Sequence, residues 1–238
     1  MLLKLNQLLS CLAAVIIFSS CDSNEIGESK DVNPETIYQL YRFEYNENDT
    51  TAELFAQFRF AGENGTTLVL TTPSKFEYNG AEVKVDSNDF SGAFYKTSIT
   101  PKEVVGMHKL AFTDINGKVY QNIFTVDSFV LPDVPKEISK LVPAIIKFQA
   151  PPLYGEDYIE LRSEETDSAF SVKYNAAQKD GYITIPKEEL QRQKKDILLL
   201  TATLHRKVLL QQQVKEGGGI WIEQTIKPVS LKLKKETF

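Results

Sequence analysis

Apolar and polar residues alternate with a period of two over much of the chain beyond residue 34, and this pattern limits the possible folds more than any other feature of the sequence. The segments 53–60 (ELFAQFRF) and 229–234 (VSLKLK) show it most clearly. Successive side chains of a β-strand point to opposite faces, so each segment is expected to bury one face and expose the other. The segment 186–195 (PKEELQRQKK), with Leu190 as its single large apolar residue, predicts at most a short surface helix. The sequence therefore predicts an all-β fold.

Turn residues separate the predicted strands. Asn79-Gly80 and Asn116-Gly117 lie between alternating segments, and Asp180-Gly181 has the same composition. Asn, Asp and Gly tolerate the positive φ angles that tight turns between antiparallel strands require. The first two pairs therefore predict β-hairpins.

The amino terminus has the pattern of an export signal peptide over residues 1–20. A lysine precedes the apolar stretch 8–18, which is too short to span a bilayer, since that takes about 20 residues. The tetrapeptide 18–21 (FSSC) resembles a bacterial lipobox, in which the cysteine receives diacylglycerol and becomes the first residue of the mature chain. The tetrapeptide 8–11 (LLSC) also fits, but cleavage there would leave an apolar segment on the mature protein. We therefore predict lipid attachment at Cys21.

The mature chain is expected to contain a tether and two domains. The residues after Cys21 are polar and predict a flexible tether over 21–34. Three prolines within 131–143 interrupt the strand pattern and predict a linker. The segments on either side, 35–130 and 144–238, are each close to the roughly 100 residues of one antiparallel β-sandwich.

The mature chain resembles a class of Bacteroidota envelope lipoproteins that carry tandem immunoglobulin-like β-sandwich domains. The resemblance rests on strand and turn patterns in the segments 66–85, 110–126, 181–190, 197–206 and 219–233. It implies two antiparallel immunoglobulin-like sandwiches after a lipoprotein signal peptide, in a protein held at the cell envelope. The membrane it implies is the outer one, with the chain periplasmic or on the surface. Many such proteins have no assigned activity, so it implies location and architecture more than function.

Several functional classes are disfavoured by composition and motifs. The net charge of −5 removes the main electrostatic reason to expect a nucleic-acid partner. Both cysteines lie within the first 21 residues, and the two histidines, His108 and His205, fall in different predicted domains. No nucleophile elbow, zinc-protease or phosphate-loop motif is present. We therefore expect no enzymatic activity, no catalytic residue and no cofactor.

Acidic clusters in the sequence could support two kinds of chemistry. One is a hydrolase that uses paired carboxylates, and the other is a calcium-binding loop. Such clusters occur at 156–157, at 164–167 and at 86–92 (DSNDFSG). The last resembles a calcium loop, but Phe90 occupies an expected ligand position and Gly92 falls one place late. A solvated acidic loop is the favoured interpretation, and no metal site is predicted.

Surface recognition is the favoured use of this architecture, because sandwich ends carry variable loops. The aromatic residues 38, 41, 43 and 45 are expected mainly to fill the core, and Trp221 could pack or bind. The predicted function is a lipid-anchored, non-enzymatic binding or structural role at the envelope, with a protein or glycan partner. A surface carbohydrate-binding protein or adhesin and a pilus-type subunit are alternatives. Asp49-Thr50-Thr51 and Asp167-Ser168-Ala169 match a short O-glycosylation pattern, which makes Thr50 and Ser168 weak acceptor candidates.

Overall fold

The computed structural model describes residues 25–164 and 168–234, so the predicted signal peptide, Cys11 and Cys21 lie outside the described residues. Two short α-helices are present in this part, α1 (Pro101–Val104) and α2 (Lys187–Arg192), with 3-10 turns at Ser29–Asp31 and Pro34–Thr36. The strands are β1 (Ile26–Glu28), β2 (Ile37–Asn46), β3 (Ala52–Phe60), β4 (Thr67–Val69), β5 (Lys75–Tyr78), β6 (Ala81–Glu82), β7 (Val85–Asn88), β8 (Gly92–Ile99), β9 (Gly106–Thr113), β10 (Val119–Val126), β11 (Glu137–Ile138), β12 (Ala144–Lys147), β13 (Tyr158–Ser163), β14 (Ser171–Asn175), β15 (Tyr182–Ile185), β16 (Ile197–Val208), β17 (Gly218–Thr225) and β18 (Val229–Leu233).

One long sheet runs through the whole described molecule. Its main path has the order β1-β4-β3-β2-β17-β16-β13-β14, with β8 paired to β3 and β18 paired to β16. A second sheet, β10-β9-β5-β6, and the pair β12-β15 form the remaining strand layers.

Two separate hydrophobic cores lie along the long sheet. The first contains Tyr41, Phe43, Phe58 and Phe112, all fully buried. The second is aliphatic and is built from residues such as Ile146, Ile159 and Leu200, with Leu190 of α2 packed into it. The predicted all-β fold with two β-sandwiches is thereby confirmed.

Core membership does not follow the predicted division of the chain at 131–143. The strand β17, from the carboxyl-terminal half, pairs in parallel with β2 and carries Ile220 and Ile222 into the first core. Leu210 and Val214, from the loop before β17, are buried there as well. The first sandwich is therefore completed by residues distant in sequence, which the division into 35–130 and 144–238 did not foresee.

The segment 131–143 is part of the second sandwich rather than a free linker. Leu131 and Val134 pack against the second core, and Ile138 is buried within it. The strand β11 pairs in parallel with β18, and Val130 forms a β-bridge with Gln149. Prolines interrupt the alternation here without preventing the residues between them from pairing, which explains the wrong prediction.

The predicted flexible tether is ordered from Ile26 onward. The strand β1 pairs in parallel with β4, so that Ile26 lies opposite Thr67. Ser29 is fully buried, and its hydroxyl oxygen accepts a hydrogen bond from the backbone nitrogen of Thr71 at 2.8 Å. Polar composition did not reveal this pairing, because backbone groups can complete a sheet edge whatever their side chains.

The local predictions at turns and at the helix are confirmed. Asn79 and Gly80 both have positive φ and join β5 to β6, while Gly117 turns between β9 and β10. The helix α2 is short and buries Leu190, as its pattern predicts. Among the described residues, helices long and apolar enough to cross a bilayer are absent.

Candidate ligand-binding face

The outward side of the long sheet, formed by β13, β16, β17, β2 and β3, is a continuous surface beside both cores, and we call it the shared face. Strand register aligns Tyr158, His205, Glu223, Glu44 and Glu53 in one row across it. Neighbouring strands are about 4.8 Å apart, so the three glutamates follow one another at that spacing. The sheet thus brings together carboxylates far apart in sequence, none of them in the predicted acidic clusters.

A second row on the shared face alternates cationic and aromatic side chains. Lys207, Trp221, Arg42, Phe55 and Lys96 are successive partners across five strands. The guanidinium of Arg42 lies 4.6 Å from the centre of the Phe55 ring, and the Lys207 ammonium lies 5.5 Å from that of Trp221. These contacts are cation–π interactions, which orient the rings and cations relative to each other.

Trp221, the only tryptophan, leans along its strand over Gly219. A Cβ at Gly219 would lie 2.9 Å from Cη2 of Trp221, closer than van der Waals contact allows. The neighbouring Gly218 meets a different limit, because a Cβ there would lie 2.1 Å from the backbone oxygen of Gln39 in β2. Of the three consecutive glycines, one therefore makes room for the indole and one for the parallel strand.

His205 lies between an aromatic ring and two carboxylates. Its ring stacks on Tyr158 with centroids 4.4 Å apart, and the ammonium of Lys173 lies 4.4 Å from the Tyr158 ring centre. Its Nδ1 is 3.3 Å from Oε1 of Glu223, whereas its Nε2 is 3.9 Å from Oε2 of Glu160. The imidazole is thus held by stacking and by Glu223, so that Tyr158 and His205 form an aromatic platform in which the His205 side chain is 20% exposed.

Glu160 is held in its charged form beside this platform. Partial burial acts to raise its pKa, but a hydrogen bond from Ser171 and the charges of Arg162 and Lys173 hold the pKa of Glu160 below its usual value. The hydroxyl of Ser171 donates to Oε1 of Glu160 at 2.5 Å. Glu160 therefore contributes a fixed negative charge to the shared face at neutral pH.

A groove on the shared face brings the Trp221 ring and the Tyr158–His205 stack together. It has a volume of about 220 Å³, and Glu156, Lys207 and Glu223 also line it. Enclosed small-molecule sites typically hold ~300–1,000 Å³, so this groove suits one ring of a longer ligand rather than complete enclosure. An apolar ring surface bordered by carboxylates and an ammonium can stack on a flat apolar group while hydrogen-bonding its polar edge.

A buried aspartate fixes one side of the groove. Asp157 accepts hydrogen bonds from the backbone nitrogens of Tyr154 and Lys207, both at 3.1 Å. Its Oδ2 also lies 3.3 Å from Nε of Arg206. Because these contacts tie the loop before β13 to β16, they set the positions of Glu156 and Tyr158.

The aromatic residues singled out in the sequence divide between core and surface. Tyr41 and Phe43 are fully buried in the first core, as expected for core filling, whereas Tyr38 and Tyr45 are half-buried. Trp221 lies on the shared face. The stacked Phe55 and Phe94, with centroids 5.4 Å apart, were not predicted. Phe55 breaks the alternation of its strand, which was the available signal for an outward aromatic.

His108 has a structural environment in the first core. Its Nε2 donates to the backbone oxygen of Val104 at 2.9 Å, so its Nδ1 accepts from the Tyr78 hydroxyl at 2.6 Å. The ring also stacks on Phe124. Burial lowers the pKa of His108, and burial raises the pKa of Tyr78 to about 12, so both groups stay neutral at neutral pH.

The predicted acidic clusters are not assembled into a metal site in the described ranges 25–164 and 168–234. Those ranges contain no group of three or more His, Cys, Asp or Glu side chains placed to hold a metal ion. In the segment resembling a calcium loop, Oδ1 of Asn88 instead accepts hydrogen bonds from the backbone nitrogens of Phe90 and Ser91. Asp86 lies in the exposed strand β7.

The two glycosylation candidates have opposite environments. Thr50 is exposed between β2 and β3. Ser168 is buried, and its hydroxyl donates to Oε1 of Gln193 at 3.0 Å while its backbone oxygen accepts from the same side chain at 2.8 Å. A glycan on Ser168 would break these contacts, so the folded structure contradicts that candidate, whereas Thr50 and the lipid at Cys21 stay predictions.

Comparisons with known proteins give weak structural similarity only. No protein-family model matches the sequence, and no curated protein matches it. Murine CEACAM1b has a TM-score of 0.26 and 8% identity, covering 82% of this chain and 100% of that chain. The IG1 and IG2 domains of DIP-gamma have a TM-score of 0.24 and 10% identity, covering 84% and 97%. SGBP-B from the Bacteroides ovatus mixed-linkage glucan utilization locus, solved with a mixed-linkage heptasaccharide, has a TM-score of 0.22 and 10% identity, covering 77% and 53%. We derive neither a family nor a ligand from these values.

Proposed function

We propose that this protein is a lipid-anchored component of the cell envelope that binds a partner non-enzymatically through the shared face. The observation that carries the proposal is the groove in which Trp221 meets the Tyr158–His205 stack, bordered by Glu223 and Lys207. Exposed aromatic surface beside fixed charges is typical of recognition sites. The lipid on Cys21 would hold this face near the membrane, with the outer membrane as the expected location.

The anchor is tested by replacing the acylated cysteine. C21S should shift the protein from the membrane fraction to the soluble fraction and abolish incorporation of labelled palmitate. Mass spectrometry of the wild-type membrane fraction should find Cys21 acylated at the mature amino terminus, with C11S as the matched control that keeps its anchor. A mature chain that begins elsewhere, or a C21S protein that stays on membranes, would refute the anchor.

A glycan is the ligand class that the groove favours. Sugar rings present an apolar face of C–H groups and an edge of hydroxyl groups. The Trp221 ring suits the former, and the carboxylates of Glu156 and Glu223 suit the latter. The groove is lined by two glutamates and by the cations of Arg206 and Lys207, so its fixed charges balance, and we propose a neutral carbohydrate.

Affinity electrophoresis in gels containing β-glucan, xylan, mannan or dextran tests the ligand class. Residues 22–238 should be retarded by at least one polymer, and W221A should lose that retardation. F90A is the matched control, since it removes an exposed aromatic outside the groove. A chain that none of the four polymers retards, or equal loss in both variants, would favour a protein partner over a glycan.

The pilus-type alternative gains no support from the described residues. A pilus subunit needs a terminal strand that can be exchanged, whereas β18 is paired with both β16 and β11. Its Leu231 and Leu233 are buried in the second core. Removing β18 would therefore expose the chain's own core.

A further inference from the structure

One large apolar side chain outside the shared face is almost fully exposed to solvent. Phe90, between β7 and β8, is 93% exposed. Its turn is held in place, because Oδ1 of Asn88 accepts from the backbone nitrogens of Phe90 at 3.0 Å and Ser91 at 2.7 Å. The side chain of Gln57 in β3 also donates to the backbone oxygen of Ser91 at 2.6 Å. The structure therefore presents Phe90 on a fixed turn.

This turn lies at the same end of the molecule as the start of the described chain. The backbone nitrogen of Ala93 donates to Oγ1 of Thr67 at 2.9 Å, and a Cβ on Gly92 would lie 2.2 Å from the same oxygen. Thr67 is the partner of Ile26 in the β1–β4 pair. Ile26 is itself 43% exposed and lies opposite Thr67, while Phe90 lies three residues before Ala93, which bonds to the same threonine.

The chain length between Ile26 and Cys21 limits how far this end can lie from a bilayer. The two residues are five positions apart, and an extended chain spans at most about 3.6 Å per residue, or about 18 Å. The opposite end of the molecule, in the second sandwich, lies farther from Ile26 along the direction of the strands of the long sheet. There Ile197, 55% exposed, begins β16, whose other end approaches the first core at Val208.

We propose that the turn at Phe90 rests on the lipid bilayer as a second, non-covalent contact beside the lipid anchor. This inference rests on the proposed acylation of Cys21. An aromatic side chain gains from leaving water at the headgroup level, and the neighbouring carboxylates of Asp86 and Asp89 keep the contact shallow. The same carboxylates favour uncharged over anionic headgroups. The contact sets an orientation in which the second core points away from the membrane. The shared face then stands perpendicular to the membrane surface.

Lipid-quenched fluorescence of the acylated, full mature chain tests this orientation. Trp221 is the only native tryptophan, so W221F gives a dark background in which F90W reports the turn and I197W reports the opposite end. Each variant is reconstituted into vesicles of phosphatidylcholine and phosphatidylethanolamine, with and without nitroxide-labelled acyl chains. We expect F90W emission to shift to the blue and to be quenched at least twofold, while I197W stays unquenched. Adding phosphatidylglycerol should weaken the F90W signal.

The outcomes separate this inference from the proposed anchor. Vesicle flotation reports the anchor independently, and a chain that fails to float refutes the lipid at Cys21 whatever the fluorescence. A floating chain in which F90W and I197W are quenched equally, or in which F90W is unquenched, overturns the membrane contact while the anchor stands. A photo-crosslinking residue at position 90 supplies a second readout: adducts with lipid support the proposal, and adducts with an envelope protein overturn it.

Discussion

At the scale of single residues, two adjacent glycines have different reasons to lack a side chain. G218A would place its Cβ against the backbone of Gln39, in a conformation with φ of +151°. Because neither the backbone of β2 nor this φ can relax cheaply, we expect a loss of about 1–3 kcal/mol in the free energy of unfolding. Denaturant unfolding followed by circular dichroism measures the change.

G219A is the matched variant for the indole. Its Cβ meets only the Trp221 side chain, which can swing outward, so the free energy of unfolding should stay within about 1 kcal/mol of wild type. The Trp221 emission should shift to the red as the ring becomes more exposed, and any ligand affinity of the groove should fall. Unchanged emission would mean that Gly219 does not set the ring position.

His108 gives a pH dependence whose sign follows from its environment. Burial lowers its pKa in the folded state below the ordinary value near 6.5, so the unfolded chain binds the proton more readily. The stabilising contribution of the neutral ring is present above pH 6.5 and is lost as the pH falls through the folded pKa. H108Q should be less stable at pH 7 but lose less stability between pH 7 and pH 5 than wild type.

H205Q is the comparison variant for that measurement, since it removes the other of the two histidines in the sequence. In H205Q the buried environment of His108 is unchanged, so comparing its slope with that of H108Q isolates the contribution of His108. Equal slopes in wild type and H108Q would contradict the assignment.

Individual residues were predictable where local pattern determines their role. Asn79-Gly80 predicted its hairpin because positive φ restricts the choice of residue. Trp221 was recognisable as a candidate, but its neighbours were not, since Lys207 and Tyr158 reach the groove only through strand register. The aligned glutamates at 44, 53 and 223 were unpredictable for the same reason.

At the scale of elements, β1 is a polar segment that is ordered by backbone hydrogen bonds to β4. Residues 26–29 should be protected in hydrogen exchange, whereas a flexible tether would exchange within the dead time of the measurement. S29A should reduce this protection and cost about 1–3 kcal/mol, because it leaves the Thr71 nitrogen without its acceptor. S87A, at an exposed serine of β7, serves as the control and should change neither quantity.

The elements that sequence analysis missed are those paired over long distances. The pairs β1–β4, β11–β18 and β2–β17 are all parallel, so each needs a crossover rather than a tight turn. Turn residues mark hairpins in the sequence, but a crossover leaves no comparable local signal. The alternation of apolar and polar residues predicted where strands form, but it gave no information on which distant strands pair.

At the scale of the whole molecule, the strand β17 determines what can fold alone. Residues 22–130 lack Ile220 and Ile222, and each buried isoleucine contributes about 1.5–3 kcal/mol. A typical domain has only 5–15 kcal/mol in total, and this fragment would also expose the edge of β2. We therefore expect no cooperative thermal transition from it by calorimetry.

A rescue variant makes that expectation sharper. Fusing residues 209–225 to the end of the fragment through a glycine-serine linker restores the missing strand and its buried residues. This fusion should regain a cooperative transition. A transition in the bare fragment would show that the first sandwich does not need the strand.

The parallel pairing of β17 with β2 also has a consequence for the proposed export. A polypeptide that passes through a translocon emerges amino terminus first. The strand β2 (37–46) therefore emerges long before its partner β17, which ends at residue 225. In the proposed export, the earlier half of the chain would therefore emerge with an unfinished sandwich, and its apolar side chains would be open to aggregation until residue 225 had followed.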